Sequence, residues 1–218
     1  MSGTGIAQSR TSGAARRGRL FVIAAPSGTG KTSLVKALMR DVPTLAFSIS
    51  FTTRKQRPTE QDGRDYHFVS TERFTEMVER GAFLEHASVF DNNYGTGREQ
   101  VESALSRGQD LLLEIDWQGA AQIRKALPEC VSIFILPPSR ASLEARLRGR
   151  GTDSDAVIAR RLRDSVTELS HWHEFEYVVV NDMFDQALAD LKAIVAGRGD
   201  PFRNDRPSLA GFVRKLLD

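Results

Sequence analysis

The sequence predicts an α/β fold in which helices flank a parallel sheet, and three observations predict it. Short apolar runs alternate with segments of helical periodicity from residue 20 onward. Several of these runs lack polar alternation, as expected for strands that helices cover on both faces. The regular alternation fails between about residues 49 and 97, which indicates a subdomain inserted into the core.

Each element follows from its own pattern. The run 20–25 predicts a buried strand, and the apolar residues Leu34, Val35, Leu38 and Met39 after it have helical spacing. A strand over 45–51 is followed by a polar, charged stretch over 52–65. Strands are then predicted over 66–69, 83–90, 111–115, 131–136 and 177–180, and helices over 71–80, 99–107, 118–127, 139–147 and 184–195.

Both ends of the chain are predicted to lie outside this core. Residues 1–19 hold four arginines and no acid or aromatic residue, which predicts a disordered basic tail. A transit peptide or a weak RNA contact is an alternative use of the tail. Residues 197–218 form a C-terminal extension, where apolar residues from Leu209 to Leu217 predict a helix that docks on the core or binds a partner.

Composition excludes several classes of protein. The chain has 218 residues, and 30 basic against 28 acidic residues leave a net charge of only +2, with no general attraction to nucleic acid or membrane. The single cysteine, Cys130, excludes an internal disulfide framework and a cysteine-based zinc site. The apolar runs are too short to span a bilayer. We therefore expect a cytoplasmic globular chain that binds neither nucleic acid nor membrane, as a monomer or homodimer.

A phosphate-binding loop is predicted between the first strand and helix. The run APSGTGKT over 25–32 has P-loop spacing, with alanine in place of the first glycine. Gly28 and Gly30 allow backbone N–H groups to surround phosphate oxygens, at the positive end of the following helix. Lys31 can reach the β- and γ-phosphates, and the Thr32 hydroxyl can bind Mg²⁺. The predicted triphosphate site comprises Ser27, Gly28, Thr29, Gly30, Lys31, Thr32 and Ser33.

The insertion carries residues suited to a second nucleotide. Arg54 and Arg57 are close enough to hold one phosphate together, and Tyr66 can donate to the same anion. Glu85 lies in an apolar strand, where an acid needs a partner; guanine, unlike adenine, would donate two hydrogen bonds to it. Thr96, beyond a predicted turn at the glycine before it, is suited to a base contact or to capping the next helix.

Two acids end the strand over 111–115. Strand alternation places Glu114 and Asp116 on one face, at the carboxyl end where α/β proteins bind ligands. One can orient Mg²⁺ through water while the other faces the second nucleotide; Asp116 is alternatively the N-cap of the next helix. His171 and His173 lack neighbouring ligands at metal spacing, which favours surface or capping roles.

Together these motifs resemble those of guanylate kinases, from about residue 20 to residue 195. The resemblance implies a P-loop NTPase core with a GMP-binding insertion and a small mobile lid. It also implies transfer of the γ-phosphoryl group from ATP, as co-substrate, to GMP, with Mg²⁺ as cofactor. The implied boundaries are 20–48 and 98–196 for the core, 49–97 for the insertion and about 149–164 for the lid.

The resemblance also assigns roles to individual residues. Glu60 matches a family acid, although Thr59 stands where the family has glycine, and Glu114 stands where aspartate is more frequent. Asn181 matches a residue beside the adenine, with helix capping as the alternative. Arginines of the lid meet the transferring phosphoryl group. The implied GMP contacts are Ser50, Arg54, Arg57, Glu60, Tyr66, Glu85, Tyr94, Thr96 and Asp116; the catalytic set is Lys31, Arg57, Arg146, Arg150 and Arg161; Thr32 and, through water, Glu114 hold the metal.

Two other functions are compatible with parts of this pattern. A guanylate-kinase-like scaffold domain would bind partner peptides without catalysis, but such domains lose P-loop or lid residues that persist here. A related P-loop kinase would act on another phosphorylated acceptor, which Ser50 and Glu85 disfavour.

Overall fold

The computed structural model describes residues 16–89, 91–149 and 154–217, which form two sheets and their surrounding helices. The strands are β1 (Leu20–Ala24), β2 (Leu45–Phe47), β3 (Phe51–Thr52), β4 (His67–Phe68), β5 (Phe83–Val89), β6 (Asn92–Gly97), β7 (Asp110–Glu114), β8 (Val131–Leu136) and β9 (Tyr177–Val180). The helices are α1 (Lys31–Asp41), α2 (Thr71–Glu79), α3 (Arg98–Ser106), α4 (Trp117–Ala126), α5 (Arg140–Arg148), α6 (Asp155–Ser170), α7 (Phe184–Val195) and α8 (Pro207–Leu217).

The larger sheet is parallel and has the strand order β2-β7-β1-β8-β9. Its central strand β1 is buried along its whole length, which explains a run with no polar alternation. Side chains of α1 and α7 pack on one face, and those of α3, α4, α6 and α8 pack on the other. The predicted α/β class is thus confirmed, with the carboxyl ends of β1 and β7 side by side.

The smaller sheet has the order β4-β3-β6-β5, and all four strands lie between residues 51 and 97. The prediction of one strand over 45–51 is wrong, because the chain crosses there from one sheet to the other. Ser48 N still donates to Leu112 O of the larger sheet at 3.0 Å, whereas Ser50 O accepts from His67 N of the smaller at 2.9 Å. Both strands carry large apolar residues and Ile49 lies between them, so the apolar pattern continues across the crossing.

The predicted turn at Gly95 is also wrong, since Gly95 lies within β6, antiparallel to β5. A Cβ atom at this position would lie 2.9 Å from Phe83 Cδ1. The glycine therefore makes room for an aromatic ring across the strand pair.

The sequence-based prediction fails for part of the N-terminal tail and holds for the C-terminal helix. Residues 16–19, assigned above to the disordered tail, are bonded to the core: Arg19 Nη2 lies 2.7 Å from Asp110 Oδ2, and Gly18 N donates to Leu105 O at 2.8 Å. The rest of that tail, 1–15, lies outside the described residues. The C-terminal helix α8 docks, since Leu209, Val213 and Leu216 are buried in the core.

The segment assigned to the lid, 149–164, continues into a longer helix. Residues from Asp155 onward belong to α6, which runs to Ser170 and joins the core through Leu169. Residues 150–153, with Arg150, lie outside the described residues. Across the described chain, every helix is too short or too polar to cross a membrane.

Candidate functional site

Two adjoining cavities lie at the carboxyl ends of β1 and β7. One, of about 300 Å³, is lined by the loop between β1 and α1, and the other, of about 280 Å³, lies between the two sheets. Both are lined by Lys31, Thr32 and Glu114, so these three side chains form a shared wall. Ligands in the two cavities would meet at that wall.

The loop cavity is built largely from backbone. Gly28 and Gly30 have φ values of 87° and 93°, a region that side chains rarely adopt, which accounts for the glycine spacing of the motif. Gly30 precedes α1 and has no side chain to cap it, so the first N–H groups of the helix remain for an anion. The cavity is therefore suited to phosphate oxygens.

The loop is held in place through one carbonyl group. Thr29 O accepts hydrogen bonds from Arg146 Nη1 at 3.0 Å and Asn181 Nδ2 at 2.7 Å. The Thr29 side chain is buried and donates to Pro26 O at 2.8 Å, away from the cavity. Two residues predicted to contact nucleotide, Arg146 and Asn181, thus contact the backbone of the phosphate loop.

Asn181 does not cap the following helix, because the N-cap of α7 is Met183. Asn181 is 4% exposed, and within the described residues its Oδ1 atom has no hydrogen-bond partner. Asn181 is not among the residues that line the two cavities, so its contact with adenine stays a prediction.

The shared wall combines a cation, a hydroxyl and a carboxylate. Lys31 Nζ donates to Ile115 O at 3.0 Å and lies 3.9 Å from Glu114 Oε1. Thr32 Oγ1 donates to the same Glu114 oxygen at 2.5 Å. Mg²⁺ takes one or two protein oxygens and completes its octahedron with water and phosphate, so this hydroxyl–carboxylate pair fits the ion. No cluster of three or more His, Cys, Asp or Glu side chains suited to a metal occurs among the described residues.

Glu85 is the buried acid of the second cavity, with 4% of its surface exposed. Its pKa is raised to about 7, mainly by burial and also by the nearby Asp116. A hydrogen bond from Thr96 Oγ1 to Glu85 Oε1 at 2.7 Å has the opposite, lowering effect. The capping alternative for Thr96 is wrong, because Gly97 is the N-cap of α3. Thr96 instead orients the Glu85 carboxylate.

Asp116 caps a helix and also faces the second cavity. Its Oδ1 atom accepts from Gly119 N at 2.7 Å and caps α4, and its side chain also lines the second cavity. Gly119 is a close approach: a Cβ atom there would lie 2.7 Å from Glu85 Oε2. The start of α4 thus presents one acid and packs directly against another.

The basic residues of the insertion form a cluster around Glu60. Glu60 Oε1 lies 2.7 Å from Arg54 Nη2, and Glu60 Oε2 accepts from Arg57 N at 2.9 Å. The Arg54 guanidinium, 5.4 Å from the centre of the Tyr66 ring, holds the pKa of Glu60 below its usual range. Thr59 has no positive φ, and a hydrogen bond from Glu60 N to Arg57 O at 3.0 Å closes this turn without the family glycine.

The structure brings most of the predicted residues to the two cavities. Arg161 lies on α6, and Arg150 lies outside the described residues. Sequence reasoning missed Glu168, which lines the loop cavity and accepts a hydrogen bond from Ser27 N at 3.0 Å. Its only sequence signal is its spacing of seven residues from Arg161. The second cavity is lined by Ser50, Tyr66, Glu85, Tyr94 and Asp116, together with Phe47 and Asp65, which were not predicted.

The chain is similar to known guanylate kinases in sequence and in fold. The family model described as "Guanylate kinase" matches residues 17–197. The chain is 58% identical over 201 residues to the guanylate kinase of Nitrosococcus oceani, covering 92% of this chain and 99% of that one. It is 52% identical over 200 residues to that of Alkalilimnicola ehrlichii, covering 92% and 98%. The crystal structure of guanylate kinase from Anaplasma phagocytophilum superposes with a TM-score of 0.69 at 30% identity, covering 89% and 94%.

Proposed function

The chain belongs to the guanylate kinase family, and from this premise we propose how its residues carry out transfer of the γ-phosphoryl group from ATP to GMP. The observation that supports the division of labour is the wall of Lys31, Thr32 and Glu114 shared by the two cavities. ATP occupies the loop cavity and GMP the cavity between the sheets, so their phosphates meet at this wall.

On the ATP side, the backbone of residues 27–33 surrounds the phosphates, and Lys31 contacts the β- and γ-phosphate oxygens. Thr32 and, through water, Glu114 hold Mg²⁺, which when bound supplies positive charge to the same oxygens. The Oδ1 atom of Asn181 is suited to accept from the adenine amino group, since Nδ2 already bonds Thr29 O.

On the GMP side, the Glu85 carboxylate accepts the guanine N1–H and N2–H₂, with Thr96 orienting it. Ser50 and Asp116 lie beside the base. Arg54, with Arg57, Tyr66 and Tyr94, holds the GMP phosphate. Glu60 supports this group by its bonds to Arg54 and to the backbone of Arg57.

The chemical step needs charge and alignment rather than a general base. A phosphate oxygen of GMP, already ionised at neutral pH, attacks the γ-phosphorus in line. The new P–O bond forms as the bond to the β–γ bridging oxygen breaks, and its electron pair leaves with ADP. Lys31, Arg57, Arg146, Arg150 and Arg161 lower the barrier by neutralising charge on the transferring group.

The site must also exclude water, because exposed ATP would be hydrolysed. We propose that the insertion (49–97) and the lid (149–164) close over the nucleotides and exclude water. The scaffold alternative has no support, since the relatives reported above carry the enzyme's name.

A coupled assay of ADP release tests the proposal with GMP, AMP, CMP and UMP as acceptors, each with ATP and Mg²⁺. We expect turnover with GMP and background rates with the other three, because only guanine presents paired donors to Glu85. Equal rates with AMP and GMP would contradict the role of Glu85. ADP release without any acceptor would contradict the proposed exclusion of water.

A further inference from the structure

The helix α6 places a carboxylate on the phosphate loop. Glu168 Oε2 accepts a hydrogen bond from Ser27 N at 3.0 Å, and Glu168 also lines the loop cavity. Ser27 is thereby held by a residue of α6 that follows it by 141 positions in sequence. In the proposed function α6 serves only to carry Arg161, and the contact between Glu168 and Ser27 plays no part in it.

Glu168 and Arg161 lie on the same face of α6. Seven residues correspond to about two turns, which returns a side chain to within about 20° and about 10 Å along the axis. Arg161 is the α6 residue proposed to contact the transferring phosphoryl group. A bond that fixes one end of this face to Ser27 therefore also sets the position of the other end relative to the phosphate loop.

The end of α6 that carries Glu168 is firmly seated. Leu169 is fully buried in the core, and His171 stacks on Trp117 with ring centroids 3.5 Å apart. The Arg161 end lies two turns away, within the segment assigned to the lid. The Ser27 contact thus lies between a fixed part of the helix and the part that carries the arginine.

The groups around Glu168 act on its carboxyl in opposite directions, and the net effect raises its pKa. Burial raises the pKa of Glu168, as do the nearby Asp116 and Asp164, whereas the hydrogen bond from Ser27 and the positive charge of Lys31 lower it. The loop therefore supplies the interactions that oppose the effect of burial on this half-buried acid. Loss of the Ser27 bond would leave the group desolvated without that compensation.

We propose that Glu168 is a positioning residue: by holding the Ser27 N–H, it fixes α6 against the phosphate loop and so sets where Arg161 meets the transferring phosphoryl group. The inference rests on the proposed function and adds to it a residue that acts through another. Because an amide oxygen also accepts from an N–H group, Glu168→Gln retains the contact and Glu168→Ala loses it.

The contact itself is tested without nucleotide, by hydrogen exchange at the Ser27 amide. We expect exchange to be about tenfold faster in Glu168→Ala than in the wild type and nearly unchanged in Glu168→Gln. Thr167→Ala, a neighbouring exposed position, is the matched control and should leave the rate unchanged. An unchanged rate in Glu168→Ala would overturn the inference.

The action through Arg161 is tested by a double-mutant cycle in kcat. We expect Glu168→Ala to lower kcat by about 10- to 100-fold, as for a small misplacement of a catalytic group, and by less than about twofold in an Arg161→Ala background. Glu168→Gln should restore most of kcat. Independent, multiplicative losses would overturn the inference, as would a lower KM for ATP in Glu168→Ala, which would show that Glu168 competes with phosphate.

The cycle also separates this inference from the function on which it rests. A wild-type protein that fails to phosphorylate GMP would overturn both. An active wild type with multiplicative losses would overturn the inference alone.

Discussion

The two cavities at the sheet edge recognise their ligands by different means. The loop cavity presents mainly backbone, shaped by the positive φ angles of Gly28 and Gly30 and held through Thr29 O. The cavity between the sheets presents side chains, with Glu85 buried and its carboxylate oriented by Thr96. Phosphate is common to all nucleotides and can be bound by N–H groups, whereas choice of base needs a particular side chain.

This contrast predicts different defects on the two sides. Damage at the shared wall should reduce catalysis for any acceptor, because it removes charge from the transferring group. Damage at Glu85 should alter acceptor choice and its pH dependence while ATP binding persists.

Lys31→Ala should lower kcat by about 10³-fold or more, because the side chain that neutralises the phosphoryl group is lost. Steady-state kinetics with saturating ATP and GMP measure the effect. Lys36→Ala, an exposed lysine on the same helix, should retain wild-type kcat. A Lys31→Ala protein with more than a tenth of wild-type kcat would contradict the role of the wall.

Glu85→Gln should lower kcat/KM for GMP by about 100-fold and leave KM for ATP unchanged. The amide replaces one of two acceptors by a donor that faces a guanine N–H. Measurement of both Michaelis constants checks this, with Glu79→Gln on exposed α2 as the control. A matching rise in KM for ATP would show that the two cavities are not independent.

The pKa of Glu85, raised to about 7, should make GMP binding depend on pH. Only the ionised carboxylate accepts both guanine donors, so Kd for GMP should rise by about tenfold per pH unit below 7. The GMP phosphate also titrates near pH 6, so the ratio of wild type to Glu85→Gln isolates the Glu85 contribution. The Kd ratio is measured from about pH 5.5 to about pH 8, on both sides of the raised pKa. A ratio that stays constant over this range would contradict the prediction.

The same shift affects stability in the opposite direction. Between the unfolded value near 4.5 and about 7, the native state binds more protons than the unfolded state. The free energy of unfolding should therefore fall as pH rises through this window, by up to about 3 kcal/mol from this group. Urea denaturation of wild type and Glu85→Gln across the window measures the difference, and parallel curves for the two proteins would exclude it.

Thr96→Val should give the smallest effect, a rise of about fivefold in KM for GMP, because Glu85 loses a hydrogen bond while both of its oxygen atoms remain. The same loss should shift the midpoint of the pH dependence of GMP binding to higher pH, since the Thr96 hydroxyl lowers the pKa of Glu85. Thr71→Val, on the exposed surface of α2, is the matched control. An unchanged pH profile would indicate that Thr96 does not orient the acid.

Sequence patterns describe the backbone-based cavity better than the side-chain-based one. The P-loop is local and contiguous, so the strand, glycines and helix around Lys31 are recognisable together. β6 was not predicted because its residues, NNYGTG, lack an apolar pattern, and the pairing with β5 supplies what the sequence does not show. Glu168 was missed because one acid on a helix has no local signature, and its partner Ser27 is distant in sequence.

The roles of individual site residues remain predictions, even where the fold places them at the cavities. Arg54 pairs with Glu60, and Arg146 donates to the carbonyl oxygen of Thr29.

The close packing of Gly119 against Glu85 has a consequence for how this chain can change over generations. An added methyl group would lie 2.7 Å from the carboxylate oxygen, so even the mildest replacement at position 119 would displace the group that we propose selects guanine. Purine choice is therefore vulnerable to drift at a residue that need not touch the base at all.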